Sequence, residues 1–400
     1  MKGILKFSSI ILFVLTSLAV FSVSCRAEDY IEKYKKYIEE NGEEGKKMTV
    51  TEFLTGEKLS DREGYEQEIE GFFDSLPEDL RGSLGGADGL YEAAEKYDLE
   101  YFTHLLLEKL KEAISSAASP AAVLSALIVI AFLSRSVSSD MSSGGAVSYA
   151  VNAAFCVFAI SSGIISFSSL SKYFEVLSSL AGAAVPACIA LLISSGRVGA
   201  SSVSAIQIST VSAIVEKILS GVCIPLLASS CALMFAESLS EKSGMLSISK
   251  VFRSAAIWIA VSVTTVASFI FGIQSTLSNA ADTVGLKTLK FALGSAVPLV
   301  GGALGDTVSA ITAGASSVKG FFGVAILVAV FISLLSPLAP LITGKISICI
   351  SRLVSGALGC GDKLLSELSS TLNAMIALVV SGAAVFSVVI VSFISFGSAL

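Results

Sequence analysis

Long runs without charge dominate the chain after Glu112. A membrane-spanning helix needs about 20 predominantly apolar residues, and several stretches meet that length. Ala113–Ser134 ends at Arg135, Gly144–Leu170 ends before Lys172, and Val176–Gly196 ends at Arg197. Val198–Val215 and Ile218–Ala236 are weaker stretches with Glu216 and Lys217 between them, which predicts a boundary there, with a proton relay as the alternative reading of the two charges. Ser254–Ala281, Phe291–Val318 (interrupted by Asp306), Gly320–Gly344 (with Pro337 and Pro340) and Leu368–Leu400 follow. The pattern predicts an all-α, polytopic helical membrane domain over 113–400.

The chain opens differently. Two lysines in Met1–Lys6 precede an apolar run over Ile10–Val23, then small residues and Arg26. This is the n-region, h-region and cleavage-site order of a secretory signal, with cleavage after Ala27. Lipidation at Cys25 and an uncleaved first membrane helix are the alternatives. A signal over 1–27 puts the next segment, 28–112, outside the cytoplasm. That segment reads as a small acidic helical domain. Tyr30, Ile31, Tyr34, Tyr37 and Ile38 recur at helical spacing, as do Leu90, Ala94, Tyr97, Tyr101 and Leu105. Phe72, Phe73, Leu76 and Leu80 around Pro77 predict a short helix and turn, and 39–47 reads as a loop. His104 is expected on a helix near the membrane surface, without a chemical role.

Two parts of the membrane domain resemble each other. Ala181-Gly-Ala-Ala-Val-Pro186 aligns with Leu293-Gly-Ser-Ala-Val-Pro298, and Pro225-Leu-Leu with Pro337-Leu-Ala, both at an offset of 112. This predicts an internal repeat, 144–236 and 254–344. Proline removes a helix bond and glycine lets backbones approach, so paired interruptions point to broken helices around a central path. Pro186, Pro298, Pro225 and Pro337 are the candidate helix breaks. Gly301, Gly302, Gly305 and Asp306 are the candidate pathway lining. Tight helix packing by small residues is the competing reading. An inverted arrangement of the two halves is slightly preferred to a parallel one.

Composition then excludes most chemistry. The chain is 53% hydrophobic and 15% charged with mean hydropathy +0.79, far from a soluble domain. Segment 28–112 carries a net charge of −13 and 113–400 one of +4, which is no footprint for nucleic acid. With one histidine, imidazole catalysis and zinc sites have no material. The seven cysteines follow no disulfide or metal spacing, and the six after Cys25 lie in apolar stretches as small hydrophobes. Gly305-Asp306 is reminiscent of intramembrane aspartyl proteases, but Ala303 stands where a glycine is needed and no second aspartate lies clearly in a span. No phosphate-binding loop is present. No catalytic residue, cofactor or metal ligand is assigned. Arg135 and Arg197 are expected on the cytoplasmic side.

The signal, the acidic head and the Ser/Ala/Gly-rich body, with Lys287-x-x-Lys290-Phe-Ala, Val297-Pro-Leu-Val-Gly301 and Gly305-Asp306, resemble the stage III sporulation protein AE family. The resemblance implies a protein of endospore-forming bacteria, in the mother-cell membrane around the forespore. It implies a non-enzymatic subunit of a channel or feeding apparatus, with other stage III A proteins and, through them, stage II protein Q as partners, besides membrane lipid. A secondary transporter or lipid-handling permease built on the repeat is the alternative reading of the body.

Overall fold

The computed structural model describes residues 66–78, 80–81, 99–138, 144–194, 209–239, 244–296, 301–359 and 362–395; among the stretches described only as backbone are 271–296 and 301–321. Helix accounts for nearly all of it, and no strand occurs among the described residues. In hydrocarbon every backbone polar group needs an internal partner, and a helix supplies one within its own segment. The helices are α1 (Glu66–Ser75), α2 (Leu99–Ser138), α3 (Gly144–Ser194), α4 (Ser209–Leu239), α5 (Met245–Ala296), α6 (Gly301–Leu358) and α7 (Asp362–Ser395). Six of them, α2 to α7, contain a stretch long and apolar enough to cross a membrane.

Several expected boundaries are absent. Residues 144–170 and 176–196 were expected as two spans, but α3 runs unbroken through Lys172 and Glu175. Charge alone does not break a helix, and 171–175 holds neither glycine nor proline. Tyr173 and Phe174 are instead buried. The boundary expected at Glu216–Lys217 is also absent, because α4 continues through both. The Glu216 carboxylate is accommodated by the Ser178 hydroxyl, which donates to it at 2.8 Å. The division at residue 112 falls inside α2, which carries the end of the acidic segment straight into the first span.

Side-chain bonds fix the directions of the helices. Ser178 meets Glu216, and Cys156 Sγ lies 2.9 Å from Ser238 Oγ, so α3 and α4 are antiparallel in one constant register. The two contacts lie about 33 Å apart along each helix, close to the thickness of a bilayer core. Between α2 and α6 the register is parallel. Thr343, Ser347 and Ser351 donate to the carbonyls of Ala113, Ala117 and Ala121 at 3.4, 3.0 and 3.3 Å. All three alanines are at most 3% exposed, and their lack of side-chain bulk lets the two backbones approach. Gly244 (φ 151°) immediately before α5 and Gly359 (φ 67°) immediately after α6 take positive φ, which glycine adopts without a Cβ penalty.

These registers gather the C-terminal ends of α2, α4 and α6 with the N-terminal ends of α5 and α7 at one end of the bundle. The chain therefore alternates direction from α2 to α7, and α3 ends opposite to Ser138. That removes the reason for grouping Arg197 with Arg135. Each candidate half of the repeat holds two described spans, α3 with α4 and α5 with α6, a parity that corresponds to a parallel rather than an inverted duplication.

The opposite end holds α1. Its apolar face, Ile69, Phe72, Phe73 and Leu76, is at most 6% exposed, with Leu80 beyond the Pro77 turn, as the sequence predicts. Phe72 packs edge-on to Phe322 of α6 with ring centroids 5.0 Å apart. The expected signal segment 1–27, the loop 39–47, both tyrosine stripes up to Tyr97, Cys25, Cys360, Arg197 and Pro298 lie outside the described residues. His104 is exposed on α2.

Candidate functional site

The sequence pointed to the prolines of the two repeats. Pro186 lies on an exposed position of α3 and Pro337 is buried in α6, and in both cases the helix continues through them. Pro225 sits just after a widened π turn, Leu219–Cys223, where the Ile224 N–H reaches back to the Leu219 carbonyl. The wider turn accommodates a residue that has no N–H and whose ring would crowd the preceding turn. Gly301, Gly302, Gly305 and Asp306 lie in the first turns of α6, described as backbone only.

The other two membrane prolines border a cavity. Pro120 of α2 and Pro340 of α6 line a partly open space of about 720 Å³ between α2, α3, α4, α6 and α7. Phe155, Phe158, Phe235, Leu368, Leu372 and Met375 are among the apolar side chains of its wall. Its hydroxyls are already engaged. Thr343 and Ser347 donate to α2, and Thr371 donates to the Glu367 carbonyl at 3.1 Å. Space of this size, with an apolar wall, falls in the range of small-molecule pockets. Ala113, Ala117 and Ala121, recurring every fourth position, mark α2 as a close-packing face but name neither its partner α6 nor the cavity, which none of the three lines.

Charge collects beside the cavity, at the end defined by the two glycine turns. Arg253 of α5 donates to the Glu367 carboxylate at 2.9 Å and to the Glu367 carbonyl at 3.3 Å, and lies 3.5 Å from the Thr371 hydroxyl. Lys250 pairs with the other carboxylate oxygen at 3.1 Å. The Arg253 and Glu367 side chains are only 13% and 12% exposed, so the pair is largely withdrawn from solvent and clamps α5 to α7. Glu237 closes the α4–α5 turn by accepting the N–H groups of Gly244 and Leu246 at 3.2 and 2.8 Å, with Lys363 3.9 Å away. This network fastens helix ends; it contains no exposed nucleophile beside a base. Among the described cysteines, Cys156, Cys188 and Cys223 are buried as expected, while Cys349 is exposed on α6.

A family model described as stage III sporulation protein AE matches residues 88–397, most of the chain and all six spans. No curated protein and no solved structure matches it.

Proposed function

The chain belongs to the stage III sporulation protein AE family, and from that premise we propose that it is a non-enzymatic membrane subunit of a channel joining mother cell and forespore. The family match carries this reading, because it spans the whole membrane body. In the proposal the protein sits in the mother-cell membrane surrounding the forespore. Its acidic head projects away from the cytoplasm, and the end bearing Lys250, Arg253, Arg352 and Lys363 faces the cytoplasm, in keeping with the positive-inside tendency. The docked α1 helix supports this reading, since it ties the head to the spans and gives assembly partners a fixed surface. Those partners are the other stage III A proteins and, through them, stage II protein Q.

The experiment is deletion in a spore-former, scored by late forespore gene expression, together with purification in mild detergent. Loss of late expression and co-purification of the other stage III A proteins are expected. A stable lone particle and unaffected forespore expression would overturn the reading. A second reading, a secondary transporter or lipid-handling permease, draws support from the apolar cavity and expects the lone particle.

A further inference from the structure

We propose that the cavity between α2, α3, α4, α6 and α7 is a lateral binding site for one acyl chain of a membrane phospholipid. The argument starts at its mouth. Ile160 and Ile165 of α3, 42% and 62% exposed, border it together with the exposed Ala228 and Ala232 of α4. All four lie in stretches of α3 and α4 long and apolar enough to cross a membrane, so with the bundle in a bilayer the mouth opens sideways toward acyl chains. The wall selects the same chemistry. It is overwhelmingly apolar, and the hydroxyls of Thr343, Ser347 and Thr371 are committed to backbone carbonyls, leaving them no donor for a polar ligand.

Dimensions and charge fix the part of the lipid involved. Along α7 the wall runs from Leu365 to Met375, about 15 Å of helix. Half of a bilayer core is also about 15 Å. One end of the cavity reaches Leu365 and Thr371, within a turn of the Arg253–Glu367 clamp and of Lys250 and Lys363, whose side chains are 52% and 76% exposed. An amphiphile from that leaflet therefore buries its chain in the cavity and leaves its phosphate beside the Lys250 and Lys363 side chains, which also pair with Glu367 and Glu237. Ala228 and Ala232, one helical turn apart, leave the doorway open because they are small. The inference is independent of the channel proposal, because it concerns only the spans and the surrounding bilayer.

The test uses the full chain in nanodiscs of phosphatidylglycerol and phosphatidylethanolamine doped with a phosphatidylcholine that carries a diazirine on its acyl chain. After illumination, labelled peptides are mapped by mass spectrometry. Label is expected on peptides carrying Phe158, Leu368 and Met375. Ala232→Trp fills the doorway and should reduce that label about tenfold, equivalent to about 1.4 kcal/mol of chain binding. Label at the outward-facing Leu353, 74% exposed, should not change. Ala228→Leu, a milder obstruction, should give a smaller drop in the same direction and carries the test if the tryptophan variant does not fold. Cavity peptides labelled equally in wild type and both variants, or not labelled at all, would overturn the proposal.

Discussion

The Ser347 hydroxyl donates to the Ala117 carbonyl, 3.0 Å away in space and 230 residues away in sequence. It also bonds the Thr343 carbonyl of its own helix at 2.8 Å. The interhelical bond exists because alanine keeps the α2 backbone within reach. Ala117→Leu should therefore separate the helices and break the bonds from Thr343, Ser347 and Ser351 together, at about 1–3 kcal/mol. Ser347→Ala removes only one of the three interhelical bonds and should cost about 0.6 kcal/mol. Thermal unfolding in detergent compares the two, and equal losses would contradict a packing role for Ala117.

Arg253 and Glu367 form a largely buried pair, so the test is a cycle rather than a single change. Glu367→Gln leaves Arg253 without its counter-charge and should cost about 3–5 kcal/mol. Replacing both residues by methionine should restore much of that loss. A double variant as unstable as the single would mean that the charges themselves, and not their pairing, are needed.

A Cβ added at Gly382 of α7 would lie 2.7 Å from the Phe174 ring and 3.5 Å from the Tyr173 ring. Both rings are buried, and the Tyr173 hydroxyl is held by the Val379 carbonyl at 3.3 Å. The rings have little room to yield. Gly382→Ala should destabilise the α3–α7 packing by about 1–3 kcal/mol, despite being favourable for helix propensity. Gly356, with nothing near its Cβ position, is the control and should tolerate alanine.

Phe72 anchors α1 on the bundle through Phe322. Phe72→Ala should free residues 66–81 without unfolding the spans, which amide exchange would detect as lost protection confined to that segment. Truncating a buried phenylalanine costs about 3–5 kcal/mol, more than a ten-residue helix of mostly polar composition can replace. Exchange that stays slow in the variant would show that α1 is held by other means.

Asp306 remains the residue to test for a polar path. Asp306→Ala should abolish sporulation while leaving the protein near its normal abundance. Immunoblotting alongside spore counts separates this from a folding role, in which abundance itself would collapse.

Periodicity made the spans and the α1 face legible, because Phe72, Phe73 and Leu76 already form one side of a helix on paper. Charge proved a poor guide to helix ends. Lys172, Glu175 and Glu216 interrupt apolar runs, yet the backbone bonds of α3 and α4 continue past them, and one serine suffices for Glu216. The cavity was not readable, since it depends on which faces of five helices meet. A register such as Ala113 with Thr343 leaves no local trace in either segment. The prolines show the same limit: the pair without repeat partners, Pro120 and Pro340, is the pair that borders the cavity.

The parallel pairing of α2 with α6 sets a schedule for biosynthesis. At about 5–20 residues per second, the 230 residues between Ala117 and Ser347 take about 10–50 s to make. Until then the alanine face of α2 stands in the bilayer without its lasting neighbour. Small residues at every fourth position are a general helix-pairing surface, so during that interval the nascent chain is open to pairing with a second copy of itself or with another newly inserted helix. Completion of α6 ends that competition, which makes the arrival of the fifth span the committing step of assembly.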